Sequence, residues 1–132
     1  MDSIFSLFNK QEAIAIYVND HGDEVNDYRI HVGRSHEVPM AVDQIRTQFE
    51  VPMFVWCSPK YIESHPDVIE SIKRAVDKPF ITDDMPHFLF DLAGINSPFY
   101  QETKSVINDN YAPRAKRFLL MGEGVYEDIM PK

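Results

Sequence analysis

The sequence contains very little cysteine, no long hydrophobic run and no excess of basic residues. Cys57 is the only cysteine, which excludes an internal disulfide and any zinc module built from several cysteines. No stretch approaches the roughly 20 apolar residues that a membrane span requires. Residues 1–5 have neither a basic segment nor a long apolar segment, so no signal peptide is expected there.

The charge balance excludes one broad class of partner. A formal net charge of -8 argues against general nucleic-acid binding, because that function requires a basic face. It does not argue against phosphate chemistry, since a bound divalent cation can supply positive charge locally. The length of 132 residues, with 44% hydrophobic and 26% charged residues, is typical of one globular domain covering residues 1–132.

Two continuous apolar runs predict buried strands, over residues 13–18 and 51–57. Cys57 ends the second run and is interpreted as a small buried hydrophobe. Ser58 and Pro59 follow, in the order expected for the N-cap and first residue of a helix. Further helices are predicted at residues 1–12, 42–49, 66–76 and 82–93, and a last strand at residues 117–121.

This order of elements predicts an α/β fold with a mostly parallel sheet flanked by helices. Ligands of such sheets bind beyond the carboxyl ends of the strands. Asp20 and His21 lie at such an end, directly after the first predicted strand. Gly22 permits a turn there because it has no Cβ atom.

Asp20 and His21 are the first candidates for a functional site. A carboxylate oxygen and an imidazole nitrogen are normal ligands of Zn²⁺, and they also suit Mn²⁺. Two ligands do not complete a site, so others must come from elsewhere. His31 and His36 are further candidates, each as a ligand, a donor to a phosphate oxygen or a simple loop residue. The alternative is that Asp20 caps a turn and His21 is a surface residue.

The other charged groups have simpler interpretations. Asp83 and Asp84 stand at the start of a predicted helix, where negative charge complements the helix N-terminus. Arg114 and Arg117 belong to small basic groups that are interpreted as solvated faces.

Three segments, in order, carry a resemblance to a known family. Residues 16–24 resemble the motif of sulfatase-like enzymes in the alkaline phosphatase superfamily, a hydrophobic strand followed by Ser-Asp-His-Gly-Glu. Residues 50–59 are similar to the strand with a Trp-x-Ser ending that follows in that family. Residues 79–95 resemble its helix ending in Asp, a hydrophobic residue and Ala-Gly-Ile. Together they resemble the bacterial phosphoethanolamine transferases, over roughly residues 13–121.

The resemblance implies roles for particular residues. Asp20 and His21 match the pair that binds the catalytic zinc, and a loop histidine near the phosphoryl group corresponds first to His36 and second to His31. The family transfers phosphoethanolamine from phosphatidylethanolamine to lipid A or another cell-surface glycan. Its members are anchored in the inner membrane, with the catalytic domain in the periplasm. Asn19 and Asp23 replace the usual serine and glutamate of the motif.

The same resemblance implies that important parts are missing. The nucleophilic threonine and the other metal-binding acid of the family lie upstream of the matching region, and the membrane domain precedes them. Thr47, Thr82 and Thr103 do not stand in the nucleophile's context. The chain is therefore expected to be the C-terminal part of a sulfatase-like catalytic domain, inactive alone and complemented by an N-terminal part.

Two rival hypotheses remain from the sequence. One is another enzyme of the superfamily, such as a sulfatase, a phosphodiesterase or a phosphoglycerol transferase, because the metal pair is shared. Residues 56–58 and 83–95 favour the phosphoethanolamine branch. The other is a non-catalytic α/β binding module, which predicts no tight binding of zinc.

Overall fold

The computed structural model describes residues 2–34, 39–119, 122 and 124–130, with only the backbone described for residues 2–4. The chain divides into two compact units. The first unit comprises Met1–Ala15 and Val55–Arg114, and the second comprises Ile16–Phe54 and Ala115–Lys132.

The helices of the first unit match most of the predicted ones. They are α1 (Asp2–Phe8), α3 (Pro59–Ser64), α4 (Pro66–Ala75) and α5 (Met85–Leu92), with 3₁₀ turns at Thr82–Asp84 and Glu102–Lys104. The second unit contains α2 (Val42–Phe49), α6 (Tyr126–Ile129) and the short strands β2 (Glu24–Val25), β3 (Val32–Gly33), β5 (Phe118–Leu119) and β6 (Gly124–Val125). Strands β1 (Ile14–Val18) and β4 (Met53–Cys57) each contain the boundary between the units.

Ser58 fixes the start of α3, as the sequence predicts. Its buried hydroxyl accepts hydrogen bonds from the main-chain N–H groups of Tyr61 (3.1 Å) and Ala13 (3.2 Å). The same hydroxyl donates to the main-chain oxygen of Gln11 at 2.6 Å. The side chain therefore caps the helix and also ties its start to the segment before β1.

The first unit is built around the buried side chain of Phe88 on α5, together with Val106 and Ile107. The ring of Phe80 meets Phe88 edge-on, with 6.4 Å between centroids. The α5 helix ends before Gly94, which has a φ of 62° and terminates the helix where the sequence predicts.

The second unit has a core of Met40, Ile45 and Leu119, against which Phe49, Tyr126, Ile129 and Met130 pack. Arg117 donates to Glu127 through its main-chain N–H and its guanidinium. Burial alone would raise the pKa of the Glu127 carboxyl, but the hydrogen bonds from Arg117 outweigh it and hold that pKa below its usual range. Arg117 is thus a paired residue, and its interpretation as part of a solvated face is wrong.

The expectation of a mostly parallel sheet is not confirmed. There are three two-stranded sheets in the described residues, β1 with β4, β2 with β3, and β5 with β6. The last two pairs are antiparallel. Residues 26–31 and 120–123, which connect them, are much shorter than the dozen or so residues that a parallel crossover needs. The α/β class itself agrees with the structure.

Strands β1 and β4 are less buried than their apolar sequences predict. The rings of Tyr17 and Phe54 stack on each other with centroids 5.0 Å apart, and both remain partly exposed. Cys57, at the end of β4, is half-buried, and this burial raises the pKa of its thiol.

Among the described helices, none combines the length and the apolar content needed to cross a membrane.

Candidate metal centre

Asp20 and His21 lie on the loop that leaves β1, as the sequence predicts. The side chain of Asp20 is 89% exposed and that of His21 is 39% exposed. The Oδ1 atom of Asp20 accepts a hydrogen bond from the main-chain N–H of His21 at 2.9 Å. Both side chains are therefore accessible to an ion from solvent, and the main chain orients the carboxylate.

The imidazole of His21 lies between two carboxylates. Its Nε2 atom is 3.7 Å from Oδ2 of Asp20, and its Nδ1 atom is 3.7 Å from Oδ1 of Asp23. Nδ1 is also 3.2 Å from the main-chain oxygen of Gly22, to which it donates when it carries the ring proton. In that tautomer Nε2 carries the lone pair that a metal ligand needs, and it lies on the side of the Asp20 carboxylate. Asp23 was not a candidate from the sequence, although its position two residues after His21 was the available signal.

Gly22 brings this loop against the end of α2. Its N–H donates to the main-chain oxygen of Gln48 at 3.1 Å. A Cβ atom at position 22 would lie 1.9 Å from the main-chain oxygen of Thr47, so only glycine fits. The sequence predicts a glycine-dependent turn here, and the structure gives close packing against the helix as the reason.

Behind the loop lies a buried polar pair that no sequence motif marks. Glu24 is 1% exposed and Gln48 is 0% exposed. The Oε2 atom of Glu24 accepts hydrogen bonds from Nε2 of Gln48 and from Nη2 of Arg29, each at 3.2 Å. The sequence gives no signal for the burial of Glu24, because an acidic residue beside exposed Val25 is expected to face solvent.

Of the two candidate loop histidines, His31 and His36, the structure describes only His31. His31 lies directly before β3, and its N–H donates to Oδ1 of Asn26 at 3.1 Å. Its Nε2 atom is buried and has no hydrogen-bond partner within the part of the chain that the structure describes. His36 falls in residues 35–38, outside the described residues.

The residues present could supply only part of a metal site. In the described ranges, no three or more histidine, cysteine, aspartate or glutamate side chains are grouped so as to hold a metal ion. Asp20 and His21 nevertheless offer one oxygen and one nitrogen ligand side by side, a donor pair that suits zinc. The pair therefore fits zinc as a half-site that needs further ligands.

The chain is similar in sequence to curated phosphoethanolamine transferases. It is 31% identical over 98 residues to the phosphoethanolamine transferase EptC of Escherichia coli strain K12, a match covering 73% of this chain and 16% of that protein. It is 31% identical over 98 residues to the phosphoethanolamine transferase CptA of Salmonella typhimurium, with the same coverage. It is 35% identical over 79 residues to the Kdo(2)-lipid A phosphoethanolamine 7''-transferase of Salmonella typhimurium, covering 57% of this chain and 13% of that protein. No protein-family model matches the chain.

The fold is similar to solved structures of the same kind of protein. The C-terminal periplasmic domain of EptC from Escherichia coli superimposes with a TM-score of 0.69 and 26% identity, over 89% of this chain and 31% of that domain. The same domain in complex with Zn gives a TM-score of 0.67 and 27% identity, over 86% of this chain and 30% of that domain. The chain thus spans about a third of the solved domain and a smaller share of the curated relatives. In sequence and in fold, the chain corresponds to a C-terminal portion of a phosphoethanolamine transferase, which confirms the resemblance that its motifs predict.

Proposed function

We propose that residues 1–132 form the C-terminal part of a zinc-dependent phosphoethanolamine transferase. The reaction moves phosphoethanolamine from phosphatidylethanolamine to lipid A or another cell-surface glycan. The observation that carries this proposal is the Asp20–His21 pair at the end of β1, in a chain that matches phosphoethanolamine transferases. A solved neighbour was determined in complex with Zn, which favours zinc over manganese as the ion.

The residues of the chain have distinct parts in this function. Bound zinc would stabilise negative charge on the phosphoryl group and lower the pKa of the nucleophile. Asp20 supplies a negative oxygen ligand, and His21 supplies a nitrogen that the carbonyl of Gly22 helps to orient. His36, or in second place His31, contacts the phosphoryl oxygens. The remaining ligands and the nucleophilic threonine belong to an N-terminal part that complements this chain.

The proposal extends to the fold and to the location. It makes β1 and β4 neighbouring parallel strands of a larger sulfatase-like sheet. It places the working enzyme at the inner membrane with its catalytic domain in the periplasm. Support comes from the solved neighbours, which are structures of the C-terminal periplasmic domain of EptC.

Zinc binding by the chain tests the proposed half-site. In isothermal titration calorimetry with Zn²⁺, we expect His21→Ala to weaken binding by about tenfold or more, because it removes one of two neighbouring ligands. His65→Ala is the matched control, since His65 is also half-exposed and lies 3.5 Å from a carboxylate, that of Glu12. Equal and negligible heats from wild type and His21→Ala would overturn the half-site and favour a non-catalytic module. An equal loss of Zn²⁺ affinity in His21→Ala and His65→Ala would also overturn the half-site.

Activity assays test the expectation that the chain is inactive alone. Because the sequence has no threonine in the context of the nucleophile, we expect no turnover of a p-nitrophenyl phosphodiester or of labelled phosphatidylethanolamine above the buffer rate. Asp20→Ala serves as the control for contaminating enzymes. Turnover by the wild type that disappears in Asp20→Ala would contradict the expectation, since the activity would then belong to this chain.

A further inference from the structure

A buried carboxylate lies three residues after the proposed zinc ligand His21. Glu24 is 1% exposed, whereas Asp20 and Asp23 on the same loop are open to solvent. A charged group almost never occupies such a position unless it is paired. The proposed zinc half-site does not use this carboxylate, so its burial calls for another explanation.

The contacts of Glu24 lead back to the loop that carries the half-site. Its Oε2 atom accepts a hydrogen bond from Nε2 of Gln48, the fully buried residue near the end of α2. The main-chain oxygen of Gln48 accepts the hydrogen bond from the N–H of Gly22. One residue of the helix therefore holds the stretch from Gly22 to Glu24 at both of its ends.

Arg29 supplies the charge that compensates the burial. Its Nη2 atom is 3.2 Å from Oε2 of Glu24, and its side chain is itself about one third exposed. The other carboxylate oxygen, Oε1, is buried without a hydrogen-bond partner in the described ranges. An incompletely satisfied buried carboxylate is costly for stability, and a hydrophobic side chain would fill the space at a lower cost. Its presence is therefore better explained by the position that its hydrogen bonds impose.

We propose that Glu24 is a positioning residue for the metal half-site. Through Gln48, and with Arg29 as its counter-charge, it fixes Gly22 against α2 and thereby sets the orientation of His21. Gly22 and Asp23 are all that separates His21 from Glu24, so a shift of Glu24 is passed on over a distance of three residues. The inference rests on the proposed zinc function for its metal readout, and on the loop geometry alone for its structural readout.

The experiment compares Glu24→Leu, which removes both hydrogen bonds, with Glu24→Gln, which keeps an oxygen acceptor at the same place. Two quantities are measured on the full chain. The first is hydrogen exchange of the Gly22 amide by NMR without metal, and the second is Zn²⁺ affinity by calorimetry. Ile45→Ala is the matched control, because Ile45 is fully buried on the same helix and packs in the core of the second unit.

In Glu24→Leu we expect Gly22 exchange to be about tenfold faster and Zn²⁺ binding about tenfold weaker. Glu24→Gln should restore both to within about threefold of wild type. Ile45→Ala should lower the Tm while leaving Zn²⁺ affinity within about threefold of wild type. If Glu24 acted only through overall stability, Ile45→Ala would weaken Zn²⁺ binding as Glu24→Leu does. If Glu24→Leu does not fold, Gln48→Leu is used in its place. It removes the side-chain bond between Gln48 and Glu24 and keeps the main-chain oxygen that accepts from Gly22.

The outcomes separate this inference from the proposed function. Absence of Zn²⁺ binding in the wild type would overturn the proposed half-site, and Gly22 exchange would still decide whether Glu24 positions the loop. Wild-type binding with unchanged Gly22 exchange and unchanged affinity in Glu24→Leu, or in Gln48→Leu, would overturn the inference. An equal loss of affinity in Ile45→Ala would do the same.

Discussion

Replacing Gly22 by alanine is expected to destabilise the protein by about 3 kcal/mol, at the upper end of the range for overpacked sites. The added Cβ would lie 1.9 Å from the main-chain oxygen of Thr47 and 3.0 Å from its carbonyl carbon. These are backbone atoms within α2, so no side-chain rotation relieves the contact. The loop must move away from the helix, and the hydrogen bond from Gly22 to Gln48 is then lost. Urea denaturation, monitored by circular dichroism, measures the change in the free energy of unfolding.

A second glycine provides the control for this prediction. Gly94 has a φ of 62°, and a Cβ atom there would meet nothing within 4 Å. Gly94→Ala should therefore cost only about 1 kcal/mol, from the left-handed backbone conformation alone. Gly22 is not among the glycines with positive φ, so its cost comes from the contact with the helix. A loss in Gly22→Ala no larger than that in Gly94→Ala would contradict the tight packing of the loop on α2.

The elements that the sequence predicts best are those with local signals. Ser58 and Pro59 mark the start of α3, Gly94 marks the end of α5, and helical spacing places α4. Each signal acts within a few residues, through a cap, a fixed φ or a periodic apolar face. The helix predicted at residues 42–49 also coincides with α2.

The hairpin of β2 and β3 had no such signal. Val25 and Val32 are exposed in it while Glu24 is buried, which inverts the usual relation between polarity and burial. A polar stretch with this inversion looks like an irregular loop. Its structure depends on Gln48, which lies 24 residues further along the chain, and composition alone does not reveal such a contact.

In the candidate metal centre, too, the sequence predicts the features with local signals and not those that depend on distant contacts. Asp20, His21 and Gly22 are contiguous and follow an apolar run, so the sequence predicts them together with their turn. The reason for glycine, close contact with Thr47, and the role of the buried Glu24 depend on where α2 packs. Position along the chain therefore identifies possible ligands, while packing decides how they are held.

The aspartates before α5 were interpreted as helix N-terminal charges, and Arg114 as part of a solvated face. The structure places both aspartates directly before α5, as predicted, but it also pairs Asp84 with Arg114, which is therefore more than part of a solvated face. Arg114 donates to the Asp84 carboxylate through Nε (3.1 Å) and Nη2 (2.6 Å), and that carboxylate is 4% exposed. The hydrogen bond to Asp84 raises the pKa of the Arg114 guanidinium further above its usual value. This two-bond pairing closes the first unit across 30 residues of sequence.

Arg114→Met is therefore expected to cost about 3 kcal/mol, or roughly 10 °C in Tm, because it leaves the Asp84 carboxylate buried and unpaired. Arg74→Met is the matched control. Arg74 also pairs with an aspartate, Asp109, at 2.9 Å, but both of those side chains are exposed, so its loss should stay below about 1 kcal/mol. Thermal and urea denaturation measure both variants.

A further substitution separates the cost of the unpaired Asp84 charge from the cost of the lost packing of the Arg114 side chain. Adding Asp84→Asn to Arg114→Met removes the buried charge while keeping the size of the side chain, so it should recover part of the lost stability. If the double variant is as unstable as Arg114→Met, the loss comes from packing of the arginine stem. If Arg114→Met is no worse than Arg74→Met, the pair contributes no more than a surface ion pair, and burial of Asp84 does not depend on Arg114.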